Sequence, residues 1–207
     1  MLPYAGGILL VAALVVLMAS MHAVARERDR TVTSAALVFT GVFATFIFFN
    51  YVTQTTLLPS LARRYDPANA PIMATFSMSN PTSLAWGIEM WGWGFLGVAT
   101  WLTSATFARS RLERAAALTF AANGPVSVAG ALITIARPGW VLTAGGLVAF
   151  SLWNALLAGM AILAFLAFRR RVHAHRPSPR RTHAEMPAVQ PAHRGSNVDA
   201  PFAISRP

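Results

Sequence analysis

One acidic residue stands inside a long apolar stretch of this chain and is the first candidate for chemistry. Glu89 lies among tryptophans and glycines in residues 86–94, and Trp93 follows it by one helical turn on the same face. A carboxyl group within a bilayer is costly, so such a residue is a functional hypothesis by default. The pattern predicts a site that handles a ligand or a proton. The alternative is a hydrogen-bonded structural acid beside an aromatic belt.

Two amide side chains in another apolar stretch are candidate partners for this carboxyl group. Asn50 and Gln54 are one helical turn apart. With a rise of about 1.5 Å per residue, Glu89 falls at a depth between them when the two stretches run in opposite directions. We therefore predict one polar site formed by Glu89, Asn50, Gln54 and Trp93. The alternative is that each amide bonds separately to a neighbouring helix.

Two further apolar stretches carry residues that predict helix distortion and helix packing. Asn123, Gly124 and Pro125 lie at the middle of one stretch, where Pro125 removes a backbone hydrogen bond and predicts a kink. Freed backbone groups can line a site in a broken helix, which is the functional alternative. Asn154 shares a helical face with Ser151 in the last stretch, and we interpret it as a contact between helices.

Several classes of chemistry are excluded by residue types that the sequence lacks. There is no cysteine, which rules out disulfides, thiolate metal sites and thiol catalysis. His22 is the one histidine within an apolar stretch, so bis-histidine haem ligation inside the membrane has no second ligand. No zinc-protease, serine-hydrolase or phosphate-loop motif occurs. We expect no catalytic residue, no cofactor and no metal site, and the sequence favours a protein that is not an enzyme.

The elements that position these residues are predicted to be membrane-spanning helices. The chain has 207 residues, of which 55% are hydrophobic and 12% charged, against about a quarter charged in soluble domains. Long apolar runs with few charges predict spanning helices, because the bilayer tolerates no open backbone structure. The prediction is an all-α polytopic transmembrane helix bundle within residues 1–168. Its five spans are about 2–25, 32–58, 84–107, 115–136 and 140–168.

The orientation of this bundle follows from the distribution of arginine. The chain has 17 arginines and no lysine, a usage typical of GC-rich bacterial genomes. Twelve arginines flank one side of the five spans and three flank the other. Positive charge collects on the cytoplasmic side, so we predict the N-terminus outside, the C-terminus inside and a location in the bacterial inner membrane. A signal peptide cleaved after Ala25 is the competing interpretation, and an upstream start that adds a sixth span leaves the orientation unchanged.

Two segments outside the spans have their own predicted roles. Residues 59–83 contain four prolines and form an outer loop that cannot be one continuous helix. Part of this loop is apolar, and it is either a plain connector or a re-entrant gate. Residues 169–207 lack the apolar content to fold, which predicts a disordered basic cytoplasmic tail. Its residues expected to contact anionic lipid headgroups are Arg169, Arg170, Arg171 and Arg176. An acidic partner is the alternative, and no nucleic acid is expected.

Parts of the chain resemble a family of small bacterial multi-span helical membrane proteins. The resemblance rests on four segments: the tryptophan- and glycine-rich run 83–96, Arg-Leu-Glu-Arg at 111–114, Ala-Asn-Gly-Pro at 122–125, and 148–154. It covers about half of the chain and implies a helical membrane fold without a particular activity. The positions that it marks are Glu89, Asn123, Gly124 and Asn154.

The role that these features favour is a non-enzymatic small component of transport or sensing, or an accessory protein. We expect a homo-oligomer, because five helices enclose only a small cavity and a second copy would supply more wall. One alternative is a membrane enzyme that acts on lipids or isoprenoids with Glu89 as acid or base. The other is a structural or assembly partner that binds no ligand.

Overall fold

The computed structural model describes residues 2–107 and 110–174, with side chains up to residue 170. Within these residues the regular structure is entirely helical, and no strand occurs. The α-helices are α1 (Leu2–Ala23), α2 (Arg30–Thr55), α3 (Leu57–Arg63), α4 (Ala70–Phe76), α5 (Leu84–Thr103), α6 (Arg111–Ala136) and α7 (Ala144–Ala174). The predicted all-helical fold is confirmed for the part of the chain that the structure describes.

Several of these helices have the length and composition of membrane spans. Four described segments qualify: Leu2–Ala23, Glu27–Arg63, Arg111–Ala136 and Ala144–Arg170. The helix α5 is 20 residues long and is not one of these four segments, and it contains four tryptophans, four glycines and one glutamate. It packs against both α2 and α6. Interfaces between membrane helices are rich in small and polar residues, which accounts for this composition. The count of five spans and their orientation stay predictions.

The helices differ from the predicted spans at their ends: α1 ends at Ala23 rather than residue 25, and α6 begins at Arg111 rather than residue 115. The predicted span 32–58 divides at Thr56 into α2 and α3, and the Thr56 hydroxyl donates to the Val52 carbonyl oxygen at 2.7 Å. Such bonds from threonine to the preceding turn bend or end helices. The helix α5 ends before a 3-10 turn at Ser104–Thr106, four residues short of the predicted end.

The last predicted span begins later and extends further than expected. Residues Trp140–Leu142 form a 3-10 turn rather than the start of the α-helix. The Thr143 hydroxyl accepts a hydrogen bond from the Gly146 amide at 3.1 Å and so caps α7, which continues to Ala174. Its final turns pass the predicted boundary at residue 168, and the tail beyond residue 174 lies outside the described residues.

The predicted outer loop 59–83 contains more helix than expected. The end of α3 and the whole of α4 fall within it, separated by a 3-10 turn at Pro67–Asn69. Pro71 occupies the first turn of α4, where its missing N–H costs no helical hydrogen bond. The segment is therefore two short helices joined by a turn, and α4 packs against α5.

The long helices pack in a simple order around α5. The helix α5 contacts α2 and α6. On the far sides of these two helices, α1 packs against α2 and α7 packs against α6. One buried cluster includes Met18, Phe120 and Met160 and draws residues from all five long helices. A second cluster includes Phe43 and Trp93 and joins α1, α2 and α5. The first cluster brings α1 and α7 to a shared core, away from the segment that contains Glu89.

Two glycines bring α5 and α6 into close contact. A Cβ atom added to Gly97 would lie 3.1 Å from the Gly124 carbonyl oxygen and 2.7 Å from Ser127 Cβ. A Cβ atom added to Gly124 would lie 2.7 Å from Trp101 Cβ. Small residues at such crossings let two helix backbones approach each other closely. This contact fixes the position of α5, and therefore of Glu89, against α6.

Candidate functional site

Glu89 is held by three neutral hydrogen-bond donors from two helices. Its Oε1 atom accepts a bond from the Tyr51 hydroxyl at 2.9 Å and another from the Trp93 indole N–H at 2.9 Å. Its Oε2 atom accepts a bond from the Asn50 amide at 2.8 Å. The Glu89 residue is 7% exposed. No arginine or histidine among the described residues forms an ion pair with Glu89.

The helix spacing explains why these donors converge. Ser83 caps α5 by accepting a hydrogen bond from the Trp86 amide at 3.0 Å, which sets the start of the helix. Trp93 follows Glu89 by four residues and therefore lies one turn away on the same face. The helix α2 packs beside α5 and supplies Asn50 and Tyr51.

Gln54 extends the polar contacts from the helices to the chain after α4. Its Nε2 atom donates to the Phe76 carbonyl oxygen at 2.7 Å and to Asn50 Oδ1 at 3.4 Å. Its Oε1 atom accepts a bond from the Met78 amide at 3.2 Å. The Asn50 amide also donates to the Ala85 carbonyl oxygen at 3.2 Å. The segment around residues 76–78 is thereby fastened over the end of α2.

The structure brings the four residues of the predicted polar site into one hydrogen-bonded group. Glu89, Asn50, Gln54 and Trp93 belong to it, and we call the group with Tyr51 the Glu89 network. Sequence reasoning missed Tyr51, because it considered the two amides Asn50 and Gln54, and adjacent residues on a helix project in different directions. Its one signal is a phenol group in the same turn as two buried amides. The use of the network as a ligand site stays a prediction.

A cavity of about 480 Å³ adjoins the Glu89 network. It lies between α1 and α7, with α5 and the end of α2 behind it, and we call it the α1–α7 cavity. Its described lining residues include Glu89, Tyr51, Trp86, Trp93, Phe150, Trp153, Asn154, Leu157, Ala158, Met78, Gly6 and Leu10. Glu89 and Tyr51 are the titratable groups in this lining, and no basic side chain belongs to it. The wall is therefore apolar and aromatic around one carboxyl group.

The aromatic rings around this cavity are held by contacts of their own. The rings of Trp93 and Trp153 pack edge to face with centroids 5.2 Å apart. The Trp153 indole N–H donates to Ser127 Oγ at 3.0 Å, and that of Trp93 donates to Glu89. The ring of Tyr51 packs against Tyr4 with centroids 5.6 Å apart. These contacts fix the ring orientations before any ligand arrives.

A second polar group connects α5, α6 and α7 near the middle of the bundle. Asn123 is fully buried, and its amide donates to Thr100 Oγ1 at 3.0 Å. Asn123 Oδ1 accepts a bond from Ser127 Oγ at 3.0 Å, and Ser127 in turn accepts the bond from Trp153. The Asn123 side chain thus joins α6 to α5, and the close approach at Gly124 lies beside it.

Pro125 and Asn154, unlike Asn123, are exposed and make no side-chain hydrogen bond to another helix in the described residues. The helix α6 continues through Pro125, which lies exposed on its surface, and the kink expected there stays a prediction. Asn154 is also exposed and donates to the Phe150 carbonyl oxygen of its own helix at 2.8 Å. The predicted inter-helix packing role of Asn154 is therefore corrected. Its side-chain amide is hydrogen-bonded within α7, and the residue lines the α1–α7 cavity instead.

The basic residues predicted to contact lipid headgroups lie at the limit of the described chain. Arg169 and Arg170 belong to the last turns of α7. The side chain of Arg171 and the whole of Arg176 lie outside the described residues. Within the described part of the chain, no group of three histidine, cysteine, aspartate or glutamate residues is placed to hold a metal ion.

Comparisons with known proteins found no relative of this chain. No protein-family model matches the chain, and no curated protein or solved structure matches it either. The resemblance to small bacterial multi-span membrane proteins stays a prediction. The described residues form a helical protein in which several helices are long and apolar enough to span a membrane.

Proposed function

We propose that this chain crosses the bacterial inner membrane five times, with the N-terminus outside and the basic tail inside. Support comes from the apolar helices, from the position of α5 between α2 and α6, and from the excess of arginine on one side. In this orientation the Glu89 network faces the outer half of the bilayer. The tail would then lie on anionic lipid headgroups of the inner leaflet.

We further propose that the protein binds a small ligand in the α1–α7 cavity and serves as a transport or sensing component. The observation that carries this proposal is the buried carboxyl group of Glu89, which borders an aromatic cavity and has no ion-pair partner among the described residues. Ligand sites are mostly apolar cavities with a few fixed polar groups. A purely structural acid would account for the three hydrogen bonds to Glu89, but not for the cavity that the carboxyl group borders.

Binding accounts for this arrangement better than catalysis does. Acid–base enzymes use a group that takes a proton together with another that supplies one or holds a nucleophile. Here the neighbours of Glu89 are neutral donors, and no second carboxyl group or histidine lines the cavity. An enzyme that uses Glu89 as its acid or base is therefore the weaker proposal.

The test is native mass spectrometry of the protein extracted in a mild non-ionic detergent. We expect the wild-type protein to carry a non-covalent small-molecule adduct. Ala158→Trp should remove the adduct, because Ala158 lines the cavity and an indole there would fill it. Ala155→Trp is the matched control, since Ala155 is an exposed alanine on the same helix that does not line the cavity.

A second variant addresses the polar anchor directly. Glu89→Gln should also lose the adduct, because a glutamine amide would turn its NH₂ group towards one of the three donors. An adduct that survives in Ala158→Trp, or a wild-type protein that carries none, would contradict the proposal. Ala158→Trp leaves the Glu89 network intact, so its result stands even where Glu89→Gln folds poorly.

A further inference from the structure

Resting on the proposed binding function, we propose that the α1–α7 cavity selects a lipophilic organic cation. The ligand would place an ammonium-like or phosphonium-like charge near Glu89 and apolar substituents against the aromatic wall. Three properties of the described residues lead to this class of ligand: the sign of the charge in the cavity, the arrangement of its aromatic rings and the composition of its remaining wall.

The titratable groups that line the cavity can carry negative charge and not positive charge. Glu89 is the acidic residue of the lining, and no arginine or histidine lies there. A buried carboxylate is stabilised when an opposite charge is close, and the described chain supplies none to Glu89. An anionic ligand would meet a like charge, whereas a cation would complete the pair. The hydrogen bonds from Asn50, Tyr51 and Trp93 come from neutral groups, so they hold the carboxyl group in position and add no positive charge.

The aromatic rings form the kind of wall that attracts organic cations. Trp86, Trp93, Trp153, Tyr51 and Phe150 all line the cavity. The face of an aromatic ring carries partial negative charge and attracts a cation, with tryptophan the strongest of the three types. The indole N–H groups of two of these tryptophans are already bonded within the protein. These two rings therefore serve as fixed surfaces more than as hydrogen-bond donors.

The rest of the wall suits apolar substituents. Leu10 and Leu14 from α1 and Leu157 from α7 also line the cavity. Gly6 and Ala158 leave space beside them, and a Cβ atom on Gly6 would meet nothing within 4 Å. A small hydrated metal ion would gain little from such a wall, because it prefers several oxygen ligands. A cation with bulky apolar groups matches both parts of the cavity.

Aromatic probes of similar size and different charge test this inference. Binding of tetraphenylphosphonium, tetraphenylborate and neutral triphenylphosphine oxide would be measured by isothermal titration calorimetry of the protein in an uncharged detergent. We expect the cation to bind at least about tenfold more tightly than the anion or the neutral probe, the change expected from gaining or losing one opposite charge in a partly buried site. Glu89→Gln should weaken the binding of the cation by at least about tenfold.

The controls separate this inference from the proposed function. Ala155→Trp should bind the cation as the wild-type protein does, and Ala158→Trp should not bind it. If the neutral probe binds as tightly as the cation and Ala158→Trp abolishes both, the cavity is a binding site and the assignment to cations is wrong. If no probe binds and the extracted wild-type protein also carries no adduct, both proposals are rejected. The comparison of probes on the wild-type protein remains decisive even where a variant folds poorly.

Discussion

Replacing Gly97 with alanine should lower the free energy of unfolding by about 2 to 4 kcal/mol, the combined cost of overpacking and a lost inter-helix hydrogen bond. The added Cβ atom would lie 2.7 Å from Ser127 Cβ, and 3.1 Å and 3.2 Å from the carbonyl oxygens of Gly124 and Asn123. Two of these three neighbours are backbone atoms of α6. They cannot rotate away as the end of a flexible side chain can, so the helices themselves must separate.

The magnitude follows from the size of that separation. Carbon atoms pack at about 3.5 to 4.0 Å, so α5 and α6 must move apart locally by about 1 Å. Overpacking of this kind costs about 1 to 3 kcal/mol. The bond from Asn123 to Thr100 Oγ1, now 3.0 Å long, crosses the same contact. Lengthening it past hydrogen-bond range adds about 1 kcal/mol, within the range measured for bonds between membrane helices.

Gly87→Ala is the matched control on the same helix. A Cβ atom on Gly87 would meet nothing within 4 Å. Alanine favours helix over glycine by up to about 1 kcal/mol in water, so Gly87→Ala should leave stability unchanged or raise it slightly. The two variants thus make the same chemical change at two places along α5, and steric contact with α6 distinguishes them.

The assay is reversible unfolding of the purified protein in mixed micelles, with increasing sodium dodecyl sulfate and tryptophan fluorescence as the signal. The free energies of unfolding of Gly97→Ala, Gly87→Ala and the wild-type protein would be compared under one set of conditions. Equal stability of the two variants, within about 0.5 kcal/mol, would refute the inferred close packing of α5 on α6.

Two further predictions concern the amides and the orientation. Asn123→Ala should destabilise the bundle by about 1 to 3 kcal/mol, because it leaves buried partners unpaired. Asn154→Ala should change stability by less than about 0.5 kcal/mol. Equal losses of stability for the two variants in the same unfolding assay would contradict this prediction. A reporter active only outside the cytoplasm should be active when fused at Ala70 and inactive at Ser178, and the reverse pattern would overturn the proposed topology.

Much of the candidate site could be predicted because depth along a helix is a one-dimensional property. Glu89, Asn50 and Gln54 come out at similar depth once two adjacent helices run in opposite directions, and a rise per residue is all that this requires. Their hydrogen bonds in the structure depend in addition on how each helix is rotated about its axis. Apolar residues surround most of these helices, so no polar stripe in the sequence defines that rotation.

Where the predictions were incomplete, the cause was packing between elements that are distant in sequence. Tyr51 reaches Glu89 because α2 is turned so that both Asn50 and its neighbour face α5. Asn154 was assigned to a helix interface, but α7 presents that residue to the cavity. The break at Thr56 and the short helices α3 and α4 have a different cause, because they depend on local hydrogen bonds that residue composition does not specify.

The amino-acid sequence by itself determined the helical class, the apolar segments and the isolated carboxyl group among them, because each of these depends on residue type and spacing along one chain. Only the tertiary structure decided that Glu89 meets three donors and borders a cavity between α1 and α7. The reason is physical. Helix rotation and approach are set by contacts such as Gly97 on Gly124, where the absence of a side chain matters only once two helices touch.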